Sequence, residues 1–147
     1  MSCLEVTYLY AGLMILFMTW YPTPERVIEL NALAICVIAA KKADTHEVLS
    51  RQKIVGVLDE CEDSDADGYG KAAILMEGLI RAHAFASANR RTAFLAAKEF
   101  LEKNGKTMQI PDSEQQARVM TGIREGYYGT DEVARWMEHG IIRKFER

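Results

Sequence analysis

The 147-residue chain has no excess of basic charge: 18 lysines and arginines stand against 21 acidic residues, a net charge of −3. A general nucleic-acid binder is usually basic, so nucleic acid is not an expected partner. Cysteine is scarce. Cys3, Cys36 and Cys61 are odd in number, widely spaced and form no CxxC pair. That excludes a disulfide framework and points to a reducing, cytoplasmic compartment. Internal repeats, low-complexity tracts and long Pro/Gly linkers are all missing, which leaves one domain with length enough for a real core. Convincing strand alternation is missing too, apart from a short extended piece near Met108–Ile110. The expected fold is therefore all-α, with about six helices.

One stretch lacks charge altogether. Val6 to Tyr21, VTYLYAGLMILFMTWY, is nearly all apolar. It falls short of the roughly 20 apolar residues that a spanning helix needs. Glu5 is its only charged neighbour on the N-terminal side; no basic n-region precedes it and no A-x-A cleavage signal follows. Three readings stay open for residues 1–21: a core or dimerising extra helix, a membrane anchor, or an over-extended start whose true first residue is Met14 or Met18. Core or interface is the expectation, because runs this short span a membrane less often than they pack on protein. Residues 22–147 form the folded domain.

Thr23-Pro24-Glu25 is a helix start, with a capping threonine, proline at the first helical position and an acid in the first turn. The helix should run through RVIELNALAICVIAAKK. It is apolar on every face from Ala32 to Ala40 and so expected in the centre of the core, with Lys41 and Lys42 at its end. Ser50 can cap a helix whose Ile54, Val57 and Leu58 share a face. The run EDSDADG offers Asp63, Asp65, Asp67 and Gly68 as the first half of a calcium loop. Ile74 stands where the bidentate Glu belongs, so a solvated acidic turn is the expectation. Near the C-terminus, Asp112 or Ser113 can cap a helix ending at Gly126. Thr130-Asp131 opens a last one, with Val133, Trp136 and Met137 as its apolar stripe.

The chain is organised around Tyr69–Gly105. Ala72, Leu75, Met76, Leu79 and Ile80 form one helical face that delivers His83 at the helix end. A small polar loop follows. Asn89 can cap the next helix, which should bury Ala93, Phe94, Ala97, Phe100 and Leu101 and stop at Asn104-Gly105. Arg90 and Arg91 in its first turn sit against the helix dipole unless an anion joins them. Guanidinium matches phosphate oxygens in a bidentate fork, so these residues suggest a phosphate cradle with a histidine base at its rim.

From His83 to Thr92, HAFASANRRT, the chain resembles the Fic/Doc family, whose motif is H-x-F-x-[DE]-[GA]-N-[GK]-R. His83, Phe85, Ala88, Asn89 and Arg91 match. The continuation through ANRRTAFLAAKEFLEKNG resembles the Doc (death-on-curing) branch, and the late arginine of typical Fic proteins is replaced by Phe94. The likeness is strong over 69–105, weaker from Thr23 through Trp136 and absent from 1–21. It implies a compact helical domain that uses ATP or another nucleoside triphosphate as co-substrate. Fic members transfer AMP to a protein hydroxyl. Doc-type toxins transfer the terminal phosphate to a translation factor and pair with an antitoxin protein. By resemblance His83 is the general base, Ala88, Asn89, Arg90 and Arg91 hold phosphates, and Phe85 anchors the loop. His46–Asp59 falls where the family carries a flap that positions the target.

One departure bears on activity. The acid that holds Mg²⁺ in the family is here Ser87, and a neutral hydroxyl is a poor ligand for that ion. The alternative function is therefore a catalytically impaired Fic-like module that binds a nucleotide or peptide without turnover. Thr121-Gly-Ile-Arg-Glu125-Gly126 also fits the family's inhibitory pattern [ST]-x-x-x-E-[GN]; helix capping is the expectation there.

Overall fold

The computed structural model describes residues 2–37 and 44–147, and the side chains of all of these but 14–17. Within them lie seven helices: α1 (Cys3–Phe17), α2 (Pro24–Val37), α3 (Arg51–Asp63), α4 (Gly68–Ala82), α5 (Asn89–Lys103), α6 (Glu114–Arg124) and α7 (Thr130–His139). Six of them belong to residues 22–147, as expected. No strand forms among the described residues; Val48 and Phe85 make a single antiparallel bridge.

Local chemistry sets the helix ends. The Ser50 hydroxyl accepts the Lys53 N–H at 3.3 Å and starts α3. The Asp67 carboxylate accepts the Gly70 N–H at 2.7 Å and starts α4. The acidic turn thus serves as a cap. Lys71 Nζ donates to the Cys61, Glu62 and Ser64 carbonyls at 3.0, 3.2 and 2.6 Å, filling acceptors at the end of α3. Gly105, at φ 73°, ends α5 as its position predicts.

Helix α4 is the hub. It packs on α3, α5, α6 and α7, while α2 packs on α5 and α3. Its predicted face is buried in full: Ala72, Leu75, Met76, Leu79 and Ile80. Gly78 lets α3 come close, since a Cβ there would meet Val57 at 2.6 Å. Val133, Trp136 and Met137 of α7 enter the same core.

Three expectations change. Helix α2 is not buried on every face: Val27, Leu30, Asn31 and Ala34 are buried, whereas Leu33 and Val37 are exposed. It lies at the edge of the bundle, so only the stripe facing α3 and α5 is covered. Its expected continuation to Lys42 falls outside the described residues. On α5, Phe94 is only partly covered, and Thr92 and Ala96 take the buried positions instead. Finally, α1 contributes no described side chain to the core. Leu4, Tyr8, Leu9 and Tyr10 are 59–77% exposed. No helix among the described residues is long and apolar enough to cross a membrane. The chain joins the domain at Trp20, whose N–H donates to Asn104 Oδ1 at 2.8 Å and whose carbonyl accepts from Asn104 Nδ2 at 3.0 Å.

Candidate functional site

The loop between α4 and α5 is bounded by two residues in the left-handed region, His83 at φ 49° and Ala88 at φ 62°. His83 ends α4 and Ala88 opens α5, and together they turn the chain within six residues. Phe85, buried, plugs the loop into the core. Asn89 is not the helix cap. It is the first residue of α5, and the capping position belongs to Ala88, which has no side-chain donor or acceptor to offer. The Asn89 amide instead clamps the loop. Its Oδ1 accepts the Phe85 N–H at 3.1 Å and its Nδ2 donates to the Phe85 carbonyl at 2.8 Å. The same Nδ2 lies 3.4 Å from His83 Nδ1. That contact is long, so it positions the exposed imidazole without fixing which ring nitrogen holds the proton.

Among the described residues no side chain caps the N-terminus of α5. Its first N–H groups and its dipole therefore lack a side-chain acceptor beside His83. The two arginines diverge from there. Arg90 Nη1 donates to Thr121 Oγ1 on α6 at 2.9 Å. Arg91 Nη2 donates to Asp44 Oδ2 at 2.8 Å, and its Nη1 reaches the Ala34 carbonyl at 3.4 Å.

Residues 44–50 form no helix and lie along the motif loop. Their backbone zips onto the loop: Ala86 N–H donates to Glu47 O at 3.0 Å and Leu49 N–H to Ala84 O at 2.8 Å. The part of the flap region beyond Ser50 is helix α3, the helix that Ser50 was expected to cap. Thr45 N–H points to Ser87 Oγ at 3.4 Å. Behind the loop sits Asn31, buried on α2. Its Nδ2 donates to the Ser87 carbonyl at 2.9 Å and to Thr92 Oγ1 at 3.0 Å, and its Oδ1 pairs with His46 Nδ1 at 2.8 Å. Thr92 Oγ1 in turn donates to the Ala88 carbonyl at 2.8 Å.

Sequence reading missed Asn31, Asp44 and His46. Asn31 carried a signal, as the lone polar residue between Leu30 and Ala32 on an apolar stripe. Asp44 carried none, and His46 was placed only by resemblance, as the first residue of the flap, with no sign that it would meet Asn31.

The donors at position 87 do not fit Mg²⁺. Ser87 offers one neutral hydroxyl, and the nearby Asp44 carboxylate is held by Arg91. A hard divalent cation favours carboxylate oxygens. Among the described residues no group of three or more His, Cys, Asp or Glu side chains is arranged for a metal. Of the inhibitory pattern, Thr121 accepts from the motif's Arg90, while Glu125 turns away and pairs with Arg147.

The fold and loop define a helical domain whose motif loop joins a histidine to an anion-attracting helix end. A model of the Fic/DOC family matches residues 21–101. The chain belongs to the Fic/Doc family, and so is a Fic-type transferase or a related module. No curated protein matches it.

Proposed function

We propose that this protein transfers a phosphate or AMP from a nucleoside triphosphate such as ATP to a protein hydroxyl, as the toxin of a toxin–antitoxin pair in the cytoplasm. The observation that carries the reading is the pairing, through Asn89, of His83 with the uncapped N-terminus of α5. His83 takes the proton of the acceptor hydroxyl and the oxygen attacks phosphorus as the phosphoanhydride P–O bond breaks, the nucleoside diphosphate leaving when phosphate is transferred and pyrophosphate leaving when AMP is. The first-turn N–H groups with Arg90 and Arg91 hold phosphate oxygens and offset the charge that spreads over them. Residues 44–50 lie beside the loop, where a target chain would be guided to His83. Whether the target is a translation factor, and which antitoxin binds, belong to the same reading.

The test is intact-mass analysis of a target mixture incubated with ATP. Phosphate and AMP add different masses, and His83→Ala should lower labelling at least about 100-fold. No transfer across several divalent metals would overturn the proposal. A second reading, binding without turnover, is favoured by the neutral Ser87 and the engaged Arg91. It predicts that Ser87→Asp creates metal-dependent transfer where the parent has none; an active parent unchanged by the substitution would reject it.

A further inference from the structure

A carboxylate offers a guanidinium two oxygens, as a phosphate does, so the two ligands compete for the same donors. The Asp44–Arg91 pair, at 2.8 Å, is the contact at which this competition matters. Its side chains are only 18% and 31% exposed. The segment that carries Asp44 is held to the motif loop at two places. Residues 47–50 are zipped to 84–86 by backbone hydrogen bonds. Residues 44–46 are held by Asp44 on Arg91, Thr45 N–H on Ser87 and His46 on Asn31.

We propose that Asp44 is a latch that an incoming phosphate must displace from Arg91, so that nucleotide binding frees residues 44–46 and precedes binding of the target chain. The proposal rests on reading Arg91 as a phosphate ligand. While Asp44 holds the guanidinium, the 44–46 end of the segment lies closed on the loop. A triphosphate at the α5 N-terminus draws the same donors. The closed end then loses its ion pair, and the freed residues become available to a bound protein segment, while 47–50 stay zipped. Affinity for the triphosphate is lowered by the fraction of molecules in which the latch is closed.

Calorimetry with a non-hydrolysable ATP analogue and with inorganic pyrophosphate, alongside amide exchange by NMR, tests this on the full chain. Asp44→Asn and Asp44→Ala should each bind the analogue about fivefold tighter than the parent, the scale of a partly exposed ion pair. In the parent, the analogue should speed exchange of the Thr45 amide and leave that of Leu49 unchanged. Equal affinity in parent and variants overturns the latch and leaves the phosphate site standing. Tighter binding with no change at Thr45 also overturns it, because removal of a negative charge then explains the gain. If neither parent nor variants bind the analogue or pyrophosphate, the phosphate-site reading fails and the latch fails with it. The exchange measurement on the parent needs no substitution, so a variant that does not fold leaves the test intact.

Discussion

Asn31 shows how much one buried amide can organise. It joins α2 to the Ser87 carbonyl, to Thr92 and to His46, and it is fully buried. A buried polar group that loses its partner costs more than the bond was worth. Asn31→Ala should therefore destabilise the domain by about 2 kcal/mol, read from urea unfolding, and loosen the loop that presents His83. A loss under about 0.5 kcal/mol would mean that water takes over its hydrogen bonds. At this scale, most motif positions were legible in the sequence but their partners were not. Arg91 could be read as a phosphate ligand; that Asp44 faces it could not, because 47 residues separate the two.

Among the elements, α5 and α1 make opposite cases. The stop and most of the buried face of α5 follow from Asn104-Gly105 and from helical spacing. The start does not follow from capping, since Asn89 is the first helical residue and Ala88 the cap. The face shifted too, with Phe94 partly covered and Ala96 buried, since the neighbours α2 and α4 decide which positions are enclosed. For α1 spacing gives no direction, because its apolar residues surround the helix. Packing alone tells what it does, and no described side chain of α1 enters the core. Removing residues 1–17, while keeping Trp20 and Tyr21 on Asn104 and Phe100, should shift the melting temperature by less than about 2 °C. It should also reduce self-association, as exposed apolar surface is removed. Thermal melts and size-exclusion chromatography check both; a fall of more than about 5 °C would make α1 a structural element.

Over the whole molecule, α4 joins the motif loop to α7 through an unusual group. Glu77 is 6% exposed, its Oε2 accepts the Thr130 hydroxyl at 2.9 Å, and its Oε1 has no partner. Burial pushes its carboxyl above the ordinary value of 4.5; the Thr130 hydrogen bond and the Arg81 charge oppose this, and the Glu60 charge adds to it. A carboxyl raised on folding favours the folded state fully below its unfolded pKa, and that contribution is lost as pH rises through the folded value. At pH 7 the charged form is thus a liability. Glu77→Gln keeps an oxygen for Thr130 and should stabilise the protein at pH 7, with the gain shrinking as pH falls through the raised folded value and gone below the ordinary 4.5. Urea midpoints of parent and variant at both ends of that range decide it. A gain that is equal at both would assign the effect to something other than ionisation.

The sequence by itself determined the helical class, most of the helix ends and the identity of the motif, because capping, periodicity and a contiguous loop are short-range properties. The tertiary structure alone decided which residues surround that loop. Asn31 comes to it from α2, Asp44, Thr45 and His46 from the segment before α3, and Thr121 from α6. These contacts join residues far apart in the chain, and no local pattern records which side chain will meet which once the helices pack.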